Sequence, residues 1–172
     1  RRETPMPEAT SSHPEQRSKR VAEQAADAPD RRVETRSQSV SINLDAVKKE
    51  AKEYLTQQYT NPDGDMICQV CRARLPFKLA DGSFYFEKVE FLDDLTLHHY
   101  QNYLALCPNH AAMFKHANGS TKTLRELVSG PGVNEIAIVL AGKARTLHFT
   151  RNHLADLRAV IKGEKTEPQG ES

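Results

Sequence analysis

The first forty residues of this chain contain no aromatic side chain, no leucine and no isoleucine. They carry eight Lys/Arg, seven Asp/Glu and prolines at positions 5, 7, 14 and 29. Such a stretch cannot bury enough apolar surface to offset the entropy of ordering it. Residues 1–40 are therefore expected to be a disordered charged linker, with a transient helix around Arg17–Ala28. Long apolar runs are missing as well: nothing approaches the ~20 residues of a membrane span, and no secretory h-region is visible. Cysteine is scarce, with three in 172 residues. Their arrangement in metal-type pairs fits a reducing compartment better than a disulfide framework. The expectation is a soluble, cytoplasmic protein without membrane partners. An excess of one charge is also lacking. Of 24 basic and 23 acidic residues, sixteen of each lie outside the tail, so net charge alone predicts no strong sequence-independent DNA affinity. Local patches remain open, for example Arg72, Arg74 and Lys78. The chain begins at Arg1 rather than Met, which points to a fragment of something longer.

What is present starts near residue 41. Val47, Ala51, Tyr54, Leu55 and Tyr59 recur at helical spacing and predict a helix over 43–59, capped by Asn43 or Asp45 and packed on the domain that follows. Asn61-Pro62-Asp63-Gly64 forces a turn. Leu75–Leu79 and the aromatic-rich Ser83–Leu92 read as two arms of a hairpin around Asp81-Gly82. Asp93–Gln101 is a polar connection. Tyr103–Leu106 is a short apolar strand or turn, and Pro108 opens a helix that Asn118-Gly119 stops. A second helix is expected over Thr121–Val128. Glu135–Leu140 and Arg145–Thr150 form a hairpin about Ala141–Lys143. Asn152 then caps a helix with Leu154, Leu157, Val160 and Ile161 on one face. Residues 166–172 are expected to be a loose tail.

Cys68-Gln-Val-Cys71 and Cys107-Pro-Asn-His110 carry the chemistry. Each pair has the gap that puts two side chains on one metal, and together they supply three thiolates and an imidazole. Four protein ligands close the coordination sphere, so a Zn²⁺ here is structural and leaves no position for an activated water. Three buried core thiols are one alternative. A redox role for Cys68 and Cys71 is another, but Arg-Ala-Arg-Leu-Pro after Cys71 gives no thioredoxin-like helix.

Knuckle, hairpin and second pair at a helix start are the order of a treble clef. Gln101-Asn102-Tyr103-Leu104-Ala105-Leu106-Cys107-Pro108-Asn109-His110 resembles the second half of the HNH endonuclease family, whose members often read Asn-Leu-x-x-Leu-Cys-x-x-Cys-His. The likeness covers Cys68 to about His116. It implies an α+β fold: a zinc-stabilised treble clef (ββα-metal) over a zinc core of 66–118, within a domain 41–165 with added helices and a C-terminal hairpin plus helix. It also implies binding of DNA or RNA and phosphodiester cleavage with Mg²⁺ or Mn²⁺. The sequence departs from the family where that chemistry sits. The family strand ends in His-His or Asp-His, where this chain has Glu87-Lys88-Val89-Glu90-Phe91. Ala111 replaces the usual metal-binding His. The site implied is Glu90 as base and ligand, Asn102 as orienting residue and His116 from the helix. Asn102 reads equally as a local turn residue. His98 and His99 read as loop histidines. Phe84, Tyr85, Phe86 and Phe91 could stack on bases but are more often core. Leu75-Pro76-Phe77-Lys78 with Leu106-Cys107-Pro108-Asn109-His110-Ala111-Ala112-Met113 resembles C-terminal modules of large bacterial multidomain proteins, some with ATPase-like domains upstream, which implies upstream domains of the same parent as partners. The alternative function is a non-catalytic treble-clef interaction module.

Overall fold

The computed structural model describes residues 5, 12–26, 38–130 and 134–165. Most of the expected linker (1–4, 6–11, 27–37) and the expected tail 166–172 lie outside the described residues. Contacts divide the chain into two units, Arg1–Gln38 and Ser39–Ser172. In the first, α1 spans Pro14–Ala26, with proline at its first position, where the missing N–H is no loss. Residues 12–23 are all exposed.

Helix α2, Gln38–Tyr59, lies in the second unit from Ser39 onward. The helix starts earlier than residue 43, so Asn43 and Asp45 lie inside it rather than at its N-terminus. Ala51, Leu55 and Tyr59, four residues apart, form its buried stripe. Asn61 Oδ1 accepts the Asp65 N–H at 2.9 Å and closes the expected turn.

The hairpin beyond differs from expectation. Strand β1 is only Glu87–Glu90, and its antiparallel partner is β2, Tyr103–Leu106, with Val89 opposite Leu104. Leu75–Leu79 contributes a single bridge, Lys78 to Phe84. Two physical reasons account for this. Pro76 has no N–H to give a ladder. Tyr103–Leu106 is apolar at every position and is buried at all four, which only a strand covered on both faces can satisfy. β1 stops where Asn102 takes over the ladder: its backbone C=O accepts the Phe91 N–H at 2.8 Å, and its side chain binds Leu92.

β2 runs directly into α3, Pro108–His116. Beyond it, Asn118 Oδ1 accepts the Ser120 N–H at 2.9 Å, and Thr123 binds back to the Ser120 C=O. This turn delays the next helix, α4, to Leu124–Ser129. Strands β3 (Glu135–Leu140) and β4 (Lys143–His148) pair antiparallel through a tight turn at Ala141-Gly142. Both turn residues take positive φ, 49° and 72°, as a two-residue hairpin turn requires. Helix α5 spans Arg151–Lys165. Its cap is Thr150 rather than Asn152: Thr150 Oγ1 accepts the His153 N–H at 3.1 Å. Leu154, Leu157 and Ile161 face inward. One core results, with Leu55, Met66, Leu104, Leu106, Leu124, Ile138, Leu140, Leu147 and Leu157 among its largest fully buried side chains. No described helix is long and apolar enough to cross a membrane.

Candidate metal centre

The first pair sits on a tight turn. Ile67 bridges Arg74, the Arg72 N–H donates to the Cys68 C=O at 2.9 Å, and the Cys68 N–H donates to the Ala73 C=O at 3.0 Å. Arg72 adopts φ 57°, a left-handed conformation that reverses the chain just after Cys71. The second pair is placed by β2 and α3: Cys107 is the N-cap residue of α3 and His110 lies in its first turn.

These elements bring Cys68, Cys71, Cys107 and His110 together, with one ligand atom from each all within 4.8 Å of one another. His110 presents Nδ1 to the sulfurs, at 3.2 Å from Cys107 Sγ and 3.9 Å from Cys68 Sγ. A tetrahedral zinc with ordinary Zn–S and Zn–N bonds needs ligand atoms about 3.6–3.8 Å apart. The four residues could therefore hold a metal ion such as zinc. Burial pushes the Cys68 thiol up to about 12, against N–H groups of Cys107, Cys71 and Val70 that favour its thiolate. The Val70 N–H lies 3.4 Å from that sulfur. A bound cation would tip this balance and ionise the thiol outright. Burial, and then the Arg145 charge, lower the pKa of His110, which keeps the imidazole in its neutral, ligating form.

The residue that builds this centre from behind is Gln69, which the sequence reading passed over. It is 1 % exposed. Its Oε1 accepts the Ala105 N–H at 2.8 Å and its Nε2 donates to the His148 C=O at 3.0 Å. Its own backbone N–H and C=O bind the same two residues, Ala105 and His148. The knuckle is thus sewn to the outer edge of β2 and to β4. A glutamine between two cysteines gives no hint of this, because its partners lie 36 and 79 residues away.

Of the expected catalytic trio, Glu90 alone lines the cavity beside β1. Glu90 lines a cavity of ≈ 420 Å³ between α2, β1 and α3, whose wall also includes Lys48, Lys88, His98, Lys115 and Asn118. Glu90 Oε2 lies 3.0 Å from His98 Nδ1, and the Tyr103 hydroxyl also binds Glu90. Asn102 is 1 % exposed and fully engaged on Leu92: its Oδ1 accepts the Leu92 N–H at 3.0 Å and its Nδ2 donates to the Leu92 C=O at 2.7 Å. His116 lies exposed in the last turn of α3 and is not part of the cavity wall. Among the described residues, no second group of three or more His, Cys, Asp or Glu side chains converges as a metal site would require. His99 is tied to Glu164 at 2.7 Å. The basic patch expected beside the first pair is partly neutralised, since Arg74 pairs with Asp65 at 3.2 Å. Of the strand aromatics, Phe86 and Phe91 are buried, whereas Phe84 and Tyr85 are half-buried.

No protein-family model matches the chain, and no curated protein or solved structure matches it significantly. The fold and the site define a small α+β protein with two antiparallel hairpins and a Cys₃His cluster able to hold a metal ion. The likeness to HNH endonucleases stays with the residues that carry it.

Proposed function

We propose that residues 41–165 form a treble-clef module of HNH-like descent, stabilised by one structural Zn²⁺ on Cys68, Cys71, Cys107 and His110, and that it binds nucleic acid for a larger parent protein. The observation that carries the binding reading is a convergence of lysines. Lys48 and Lys52 are one turn apart on α2, and Lys88 faces them from β1. Burial, and then the charges of Lys52 and Lys48, lower the pKa of Lys88, with Glu87 acting in the opposite direction. None of the three forms an ion pair among the described residues. Like charges held together with no carboxylate in direct contact cost stability in the free protein and favour a polyanion. Phosphates are the polyanion that an HNH-like cleft would meet. Binding of the zinc-loaded chain to labelled oligonucleotides should weaken with salt, with a log–log slope of about −2 to −3 for three phosphate contacts. Replacing Lys48, Lys52 and Lys88 by Gln should flatten that slope. A salt-independent affinity, or one unchanged by the triple replacement, refutes the reading.

Cleavage is the second reading, favoured by one observation: Glu90, with His98 on its carboxylate, lines the cavity between hairpin and helix. In that reading Glu90 is the general base for a Mg²⁺- or Mn²⁺-dependent reaction. Plasmid and single-strand cleavage with either ion tests it. Glu90→Ala should abolish any activity, and an unchanged rate rules the assignment out.

A further inference from the structure

The segment Pro76–Gly82 is exposed throughout, yet backbone hydrogen bonds hold it in place. The Tyr85 N–H donates to the Phe77 C=O at 3.1 Å, the Leu79 N–H to the Ser83 C=O at 2.7 Å, and the Gly82 N–H to the Leu79 C=O at 2.9 Å. On this ribbon Phe77 is 52 % exposed and Leu79 39 %. The Phe77 ring stacks on Tyr85 with centroids 4.8 Å apart and planes 7° from parallel. The Tyr85 hydroxyl donates to Glu87 Oε1 at 2.6 Å and fixes the pair from below. A stacked pair whose ring on the ribbon, Phe77, is exposed offers a flat face on which a third flat ring can stack.

Charge stands beside this face. Tyr85 and Leu79 share the wall of a small cavity, ≈ 120 Å³, with Lys52 and Lys88. Lys88 also lines the larger cavity with Lys48 and Lys115. Of the acids here, Glu87 is engaged by the Tyr85 hydroxyl and by Lys115 at 3.8 Å, and Asp81 accepts from Ser83 Oγ at 2.6 Å. A purely apolar partner would leave the lysines unused, and a bare polyphosphate would leave the rings unused. Flat rings and phosphates side by side are what unpaired nucleotides present. In a duplex the base faces are already covered by their neighbours.

We infer that Phe77 and Tyr85 are a base-stacking platform which, with Lys52 and Lys88, makes this chain prefer single-stranded over duplex nucleic acid. The inference rests on the nucleic-acid reading above and adds the strandedness of the ligand. The test uses the full zinc-loaded chain, a short oligo(dT) strand and a mixed-sequence duplex of the same length. The wild type should favour oligo(dT). Phe77→Ala should weaken oligo(dT) binding about tenfold or more, in line with the stacking of one base, and leave the duplex unaffected. Its circular dichroism should match the wild type, because Phe77 is mostly outside the core. Phe77→Trp should keep the affinity. Since the chain has no tryptophan of its own, that single indole should be quenched when oligo(dT) saturates the protein.

If Phe77→Ala binds oligo(dT) like the wild type, or the Phe77→Trp emission does not respond, the platform is refuted. A loss of binding to both ligands on Lys48→Gln/Lys88→Gln would then still uphold the nucleic-acid reading. No binding to either ligand at low salt overturns both. If the wild type self-associates in sedimentation and Phe77→Ala does not, while oligo(dT) affinity is equal in the two, the face is a contact between copies and the inference fails.

Discussion

Replacing Gln69 should weaken the fold more than any surface position of similar size, although it is no metal ligand. Gln69→Ala removes the acceptor of the Ala105 N–H and a donor to the His148 C=O. Ala105 is 0 % exposed, so its N–H is orphaned in the core, at about 1–3 kcal/mol for an unsatisfied buried group. His148 lines a cavity with Gln69, Tyr59 and Arg72, which gives water room to replace part of the lost bond. The sum is about 2–4 kcal/mol. Gln69→Leu keeps most of the volume and loses the same bonds, so it should cost a similar amount, and this separates hydrogen bonding from packing. The assay is urea unfolding by circular dichroism at fixed free zinc, because any ligand of the folded state shifts apparent stability. With a slope of about 1–3 kcal/mol per molar urea, the midpoint should fall by ~1–3 M. The loosened knuckle should also bind zinc more weakly. A Gln69→Leu midpoint equal to the wild type would refute the argument that this side chain fastens the knuckle to β2 and β4.

Metal removal should be more severe. Structural zinc contributes on the order of 10 kcal/mol, more than most small domains possess, so chelation should unfold residues 66–118, and Co²⁺ should restore the fold with a one-to-one, thiolate-rich tetrahedral spectrum. His153 should make stability depend on pH. It is 0 % exposed, bound to the Tyr59 hydroxyl at 2.5 Å and the Gln101 C=O at 2.9 Å, and burial lowers its pKa to about 4 against weaker opposing effects of Gln101 and Asp156. Its neutral form belongs to the folded state, so its contribution is complete above about 6.5 and is lost as pH falls towards 4, in total about 3 kcal/mol. Unfolding free energies at fixed zinc should show a steeper acid slope for the wild type than for His153→Gln, and equal slopes would contradict this. Asn102→Ala should destabilise the fold by the ~2–4 kcal/mol expected for two lost buried bonds, and so lower the melting temperature in the absence of any nucleic acid or divalent ion. An unchanged melting temperature would mean that its bonds to Leu92 are not what holds it.

Much of the site was legible because it is local. Cys68 with Cys71, and Cys107 with His110, are each three residues apart, and a turn or a helix start aims such pairs at one point. The stripes of α2 and α5, and the β3–β4 hairpin, read with its turn at Ala141–Lys143 and its second strand two residues later than Lys143–His148, were legible for the same reason: a short-range period or turn dictates them. Segments whose role depends on distant partners were not. The arm opposite Glu87–Glu90 was read as Leu75–Leu79 by adjacency, but burial of Tyr103–Leu106 on both faces and the missing N–H of Pro76 decided otherwise.

Side-chain roles divide along the same line. In the sequence Asn102 is equally a turn residue and a site residue. The folded chain commits its amide to Leu92, ten positions away, because a buried amide must be satisfied wherever the backbone offers partners. Gln69 carries no local signal, yet it joins three elements. Lys48, Lys52 and Lys88 vanish in a balanced charge count and come together only where α2 and β1 border the same cavities. The sequence by itself determined the candidate metal-ligand set and the helices and hairpin nearest in register, since spacing along the chain fixes those angles and distances. The tertiary structure alone decided which strand pairs with which, which polar groups are consumed inside, and which charges and rings share a surface, because those outcomes depend on contacts closed across tens of residues by burial of the core.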